Sequence, residues 1–302
     1  MESSRFRTAV FTALALTAFA ANSLLCRQAL GHASIDAATF STIRLASGAV
    51  ALIALAWATG GRPLRVCGTW GSAAMLFLYA IPFSFAYVRL GAGTGALVLF
   101  GAVQSTMLAW AIATGERPLV TQWLGFVVAL GGLVYLVMPG LAAPSLIGCG
   151  LMVIAGAAWG VYSLRGKGQA SALAETAGNF ARAVPLAVGV SVAMGAHGKV
   201  SVEGAVLAVV SGVLTSGLGY VAWFAALSGL TTTSAAFVQL LVPVLAAAGG
   251  VLFLAERITA RLFLAAVLIL GGVALALTRT ERRRQRPRPL ESRPADARET
   301  RP

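Results

Sequence analysis

Long apolar runs follow one another almost from end to end of this chain, and they constrain its fold more than any other feature. A hydrocarbon core about 30 Å thick needs roughly 20 helical residues at 1.5 Å each, and the runs have that length. Of the 302 residues, 58% are hydrophobic and only 11% charged, against about 25% charged in an ordinary soluble domain. A water-soluble fold could not hide so much apolar surface. Punctuation by charge, Pro and Gly divides the chain into ten spans: 8–25, 37–58, 70–88, 92–113, 121–138, 146–164, 176–195, 203–227, 231–254 and 259–278. Between the third and fourth, and between the eighth and ninth, "VRLGAG" and "LSGLTTT" are the only breaks. Arg5 and Arg7 ahead of an apolar run that ends in "AFAAN" have the outline of a secretory signal. No soluble protein follows, so the run reads as the first span.

The net charge of +13 would suggest nucleic acid in a soluble protein. Its location points elsewhere. Nine of the 23 basic residues lie in the tail from Arg279, which is too polar and too rich in Pro to be expected to fold. With ten spans both termini share one side. Placing them in the cytoplasm puts Arg5, Arg7, Arg62, Arg65, Arg117, Arg165, Lys167 and the tail inside, and only Arg27, Arg89, Lys199, Arg257 and Arg261 outside, in keeping with the positive-inside bias. The expected partners are a lipid bilayer and a small molecule, not nucleic acid.

The chain also repeats itself. "GERPLVTQWLGFVVALGG" from Gly115 and "AERITARLFLAAVLILGG" from Ala255 share seven of eighteen positions without a gap. At the same offset Thr94 meets Ser234, Ala96 meets Ala236 and Val98 meets Val238. Near an offset of 137 or 138, "AANSLLCR" meets "AAWGVYSLR" and Arg44 meets Arg182. Two copies of five helices result, 8–138 and 146–278, between a cytoplasmic N-terminus (1–7) and a basic tail (279–302) expected to be disordered. Because five is odd, the second copy starts from the opposite side of the membrane. The fold expected is therefore all-α and integral to the membrane, ten helices as two inverted five-helix repeats, an arrangement typical of secondary transporters with a site between the repeats.

These residues resemble the EamA-type transporters of the drug/metabolite transporter superfamily. The resemblance rests on the doubled five-helix unit, on "AAWGVYSL", "AGTGALVLFGAVQSTML" and "VQLLVPVLAAAGGVLFLAERIT", and on "GE" or "AE" before spans five and ten. It covers about residues 8–278. It implies both termini in the cytoplasm of a bacterial inner membrane, a central cavity lined by helices one, three, four, six, eight and nine, peripheral fifth and tenth helices, and no cofactor; a homodimer is compatible with it. Asn22 and Ser23 depart from the pattern, standing where the first repeat often carries Trp-Gly.

Ionisable groups inside a bilayer are expensive and rare, so each is a functional candidate. Arg44 and Arg182 lie about eight residues, or roughly 12 Å, into spans two and seven. Each would either attract an anionic substrate or hold a gate, or else snorkel to an interface or brace against carbonyls; the depth favours the second reading. No Asp or Glu lies in the middle of a span. Asp36, at the start of span two, is the one candidate for gating or coupling. Glu116 and Glu256 precede Thr121 and Thr259 and read as turn-makers ahead of helix caps. Gln104 and Gln239, in equivalent helices, offer amides to a substrate or to a neighbouring helix. Among the aromatic residues that could line a path, which include Tyr79, Tyr87, Trp110 and Trp223, the strongest candidates are Trp159, Tyr162 and Tyr220. Ser211, Thr215 and Gly219 form a four-residue stripe, and Gly156 and Gly160 a small-residue pair, both of which read first as helix packing.

Cys26, Cys67 and Cys149 show no metal-ligand spacing, and His32 and His197 fall in expected loops. No metal site and no catalytic set is therefore expected, and an intramembrane enzyme is disfavoured. The leading expectation is a permease that moves a small organic solute, such as an amino acid, metabolite or drug, by alternating access and in the direction of efflux. A carrier of anionic metabolites or phosphorylated sugars is the alternative suggested by Arg44, Arg89 and Arg182. A channel or a scaffold is the alternative of another class.

Overall fold

A computed structural model describes residues 2–59, 67–114, 120–138, 143–169, 171–195, 200–230, 235, 238–239 and 241–284. Arg62, Arg65, Glu116, Arg117, His197, Lys199, Ser234, Ala236 and the tail beyond Arg284 lie outside them. All regular structure among the described residues is helical. The helices are α1 (Glu2–Gly31), α2 (Ala37–Ala58), α3 (Trp70–Tyr87), α4 (Ala92–Ala113), α5 (Val120–Val137), α6 (Leu146–Gly166) and α7 (Ala172–Ala193). Then come α8 (Val202–Leu227), α9 (Leu241–Leu254) and α10 (Ala260–Arg284). By length and composition, α1, α2, α3, α4, α6 and α8 can each cross a membrane, while α5, α9 and α10 carry shorter apolar stretches. Leu252, Phe253, Val202 and Val120 are among many large apolar side chains left exposed on the outside. Such a surface suits lipid rather than water.

Local chemistry sets the helix starts. Asp36, Thr69, Ser145, Ser171, Ser201 and Thr259 each accept a hydrogen bond from the backbone N–H three residues on, at 2.9–3.3 Å, satisfying a donor that a helix end otherwise leaves orphaned. "VRLGAG" does break α3 from α4, with Arg89 and Leu90 both donating back to the Ala86 carbonyl. At its far end α10 runs six residues into the segment expected to resist helix. Extending an existing helix is far easier than nucleating one, Arg and Glu favour it, and the next proline is Pro287.

Glycines set how closely the helices approach. A Cβ on Gly156 would strike the Leu99 carbonyl of α4, and one on Gly160 would press on Thr106, so the small-residue pair of α6 is a packing surface on α4. The twin passages meet each other: Gly132 of α5 packs on Leu268 and Ile269, and Gly272 of α10 packs on Gly125 and Ala129. Elsewhere α1 packs on α8 and α9, α6 on α3 and α4, α2 on α7 and α8, α3 on α7, and α4 on α9.

The helices place the loops at two ends. One end gathers the C-termini of α1, α3 and α9 with the N-terminus of α4, joined through Arg27, Tyr87, Ala92 and Glu256. The other gathers the N-terminus of α3, the end of α6 and the start of α7, where Arg165 donates to Ser72 and the Asn179 amide oxygen accepts from the Thr69 N–H.

Candidate substrate site

Midway between the ends lies the guanidinium of Arg44, whose side chain comes from α2 and is 1% exposed. It does not run to an interface. Nε donates to the Ser216 hydroxyl at 2.8 Å, and Nη2 donates to the hydroxyls of Tyr220 at 2.8 Å and Tyr79 at 3.2 Å. Its charge also lies against two rings, 5.3 Å from the centre of Tyr79 and 5.1 Å from that of Phe83, within the range of a cation–π attraction. Nη1 is buried without a hydrogen-bond partner. Among the described residues no carboxylate pairs with Arg44, and the one ion pair, Arg27 with Glu256, lies at the helix ends. The centre of the bundle therefore holds an uncompensated positive charge with a free donor.

Three local features bring α8 to Arg44. Residues Ser211–Leu218 form a π-helical segment inside α8, a widened turn that often marks functional sites. Gly212 in that turn sits against the Arg44 carbonyl and Ser47, so closely that any Cβ would overlap them. Gly48 of α2 is its counterpart, with Phe180 and the Gly212 carbonyl where a Cβ would be. The contact of two glycines lets Ser216 and Tyr220 reach the guanidinium.

The polar network continues into α1. Asn22 donates to the Tyr79 hydroxyl at 3.2 Å and accepts from Ser211 at 2.7 Å and Thr215 at 3.1 Å. The stripe that reads as packing in the sequence thus carries hydrogen bonds, and Asn22 holds the tyrosine that holds Arg44. At the aligned position in the second repeat, the Trp159 ring lies 5.1 Å from Tyr79 and 4.7 Å from Tyr220, centre to centre. Its indole N–H donates to the Gln239 amide oxygen at 3.3 Å, and Gln239 in turn donates to the Ala235 carbonyl. Tyr162 stacks nearby, 5.7 Å from Trp159, with its hydroxyl accepting from Asn179. Phe19 closes the cluster against Trp159, Tyr220 and Trp223.

Of the residues singled out in the sequence, the structure brings together Arg44, Trp159, Tyr162, Tyr220 and Gln239. Gln104 is buried on α4, one turn beyond Leu99 and Phe100, which line a small cavity with Phe19, Ser23, Tyr79, Phe83 and Trp159. Arg182 behaves unlike its repeat mate: it donates to the Cys67 and Gly178 carbonyls at 2.9 and 3.1 Å and lies over Trp70. That is the brace against carbonyls. Asp36 caps α2 through Thr39, with its second oxygen buried and unpartnered. The residues that sequence reasoning left aside are Tyr79, Phe83, Asn22 and Ser216. The small cavity measures about 10 Å³, room for about one water.

An all-helical bundle with lipid-suited walls and a buried, polar centre defines a multi-pass membrane protein. The model of the EamA-like transporter family matches residues 146–278. An uncharacterized protein of Pseudomonas aeruginosa is 50% identical over 273 residues, which span 90% of this chain and 94% of that relative. The chain belongs to the EamA-like transporter family. A protein crystal structure superposes with a TM-score of 0.69 at 18% identity, over 91% of this chain and 98% of its own, a likeness of fold alone.

Proposed function

We propose that this protein is a secondary transporter that moves small organic carboxylates by alternating access, with the carboxylate bound at Arg44 and the organic body against Tyr79, Trp159 and Tyr220. The observation that carries the reading is the unpartnered Nη1 of a buried guanidinium with no acid beside it among the described residues. A buried charge left unpaired is costly, and a bound anion would offset that cost. A planar guanidinium also pairs with a carboxylate through two parallel hydrogen bonds. The surrounding rings favour a flat or apolar body, which selects the carboxylate reading over a phosphorylated sugar.

The inverted repeat expected from the sequence fits this mechanism. Adding five to the helices one to five and subtracting five from the rest leaves the main packing pairs unchanged: α3 with α6 becomes α8 with α1, α4 with α6 becomes α9 with α1, and α2 with α8 becomes α7 with α3. The pairs α2 with α7, α4 with α9 and α5 with α10 map onto themselves. Two halves that meet so evenly can exchange conformations, opening one end and then the other around Arg44.

The direction follows from charge. An anion carried alone gains about 2.3 kcal/mol per 100 mV in leaving a compartment at negative potential, so the membrane potential favours net movement out of the cytoplasm. The test is thermal stabilisation of the purified protein by a panel of carboxylates and their neutral amides, since a ligand that binds the folded state raises its Tm. Carboxylates should stabilise and amides should not. Equal stabilisation by both would refute the carboxylate reading.

A further inference from the structure

We propose, building on that transport reading, that Glu256 and Arg27 form a latch that keeps one end of the molecule shut over the Arg44 site. Three chain segments that are distant in sequence meet here: the end of α1, the turn from α3 into α4 and the loop after α9. Its oxygens accept from the Ala92 N–H at 2.8 and 2.9 Å, and Arg27 Nε lies 3.5 Å away. Arg27 Nη1 donates to the Tyr87 carbonyl at 3.0 Å, at the end of α3. The start of α4 relies on this contact, because its own N-cap, Gly91, offers no side chain. A helix N-terminus with orphan N–H groups favours a carboxylate, and here it comes from the loop between α9 and α10.

The loop is built to aim it. Ala255 adopts φ 51°, a left-handed conformation that residues other than glycine rarely hold, and the Glu256 N–H donates to the Gly250 carbonyl at 3.0 Å. Gly91 and Gly250 press so close that a Cβ on either would come within 3.0 and 2.7 Å of a carboxylate oxygen. Strain held in a loop beside a polar contact is a mark of a segment that switches. Thr259 does cap α10, as the sequence suggested, yet Glu256 does more than make the turn.

The latch lies a few residues from the substrate site. Cys26, next to Arg27, is fully buried with its thiol 3.9 Å from the Ser84 hydroxyl, and Ser84 accepts from Ser41, one turn before Arg44 on α2. Parting α1 from α3 and α4 at Arg27 and Glu256 would open this layer first. Both latch residues are partly exposed, at 29% and 22%, so water can reach the pair and exchange for it.

Cys26 is the natural reporter. In the full-length protein carrying Cys67→Ala and Cys149→Ala, reconstituted in vesicles, its rate of reaction with a membrane-impermeant maleimide is measured from each face. Glu256→Gln and Arg27→Gln should each speed labelling from one face about tenfold, the size expected for losing a charge-assisted hydrogen bond, and the double variant should be no faster than either single one. Glu256→Asp, a milder change, should fall between. Unchanged labelling in all of them, or rates that multiply in the double variant, would overturn the latch. Carboxylate stabilisation through Arg44, read on the same variants, reports separately on the transport site.

Discussion

Arg44 and Tyr220 are joined across the interface of α2 and α8 by a hydrogen bond of 2.8 Å, and the same guanidinium nitrogen reaches Tyr79 on α3. The two tyrosines come from α3 and α8, so three helices meet at a single cation. A group held by three helices senses their relative position, which is what the proposed binding site requires.

Removing the Tyr220 hydroxyl leaves a charged donor short of one partner. Hydrogen bonds to charged groups are worth about 1.5–3 kcal/mol, so Tyr220→Phe should lower unfolding stability by about that much. Tyr79→Phe should cost less, its bond to Arg44 being longer. Because both act on one nitrogen, the double variant should differ from the sum of the singles by about 0.5 kcal/mol or more, measured by thermal unfolding in detergent.

Gly212 is where α2 and α8 come closest, with the Arg44 carbonyl and Ser47 in the place of a Cβ. Gly212→Ala must spread the two helices and pull Ser216 from Arg44; overpacking of this kind costs about 1–3 kcal/mol. Gly150 and Gly189 have no such neighbour within 4 Å, so alanine there should be neutral or gain up to about 1 kcal/mol from helix propensity. The three variants are compared by Tm and by carboxylate-dependent stabilisation, which only Gly212→Ala should impair.

Trp159 and Gln239 form a buried pair whose members depend on each other. Trp159→Phe strands the Gln239 oxygen, at a cost of about 1–3 kcal/mol for the unsatisfied group in addition to lost packing. Gln239→Leu should cost less in the Trp159→Phe background than alone, since the polar demand is then gone from both sides. A double-mutant cycle on unfolding measures that coupling.

The helices were plain in the sequence because apolar length is a property of the chain alone. Arg44 stood out for the same reason: a charge in an apolar run is visible without a fold. Its partners were not visible. Tyr79 looked like one aromatic among many, and Ser211 and Thr215 looked like packing residues, because which helix faces which is decided by the glycine contacts between α2 and α8. Arg44 and Arg182, aligned in sequence, separate in space into a central cation and a brace on the Cys67 carbonyl. Glu256 was read as a turn residue since its partner, the start of α4, lies far away along the chain.

The claim on which the account depends is that Arg44 binds the transported carboxylate. Counterflow of a labelled carboxylate into preloaded vesicles measures this directly, for the native protein and for Arg44→Gln and Arg44→Lys, with folding verified by size-exclusion profile and Tm. The account predicts that Arg44→Gln loses counterflow by about 10-fold or more, the equivalent of one charge-assisted pair, and that Arg44→Lys, which keeps the charge without the two-pronged geometry, retains part of it. Counterflow at the native rate in a folded Arg44→Gln protein would contradict it.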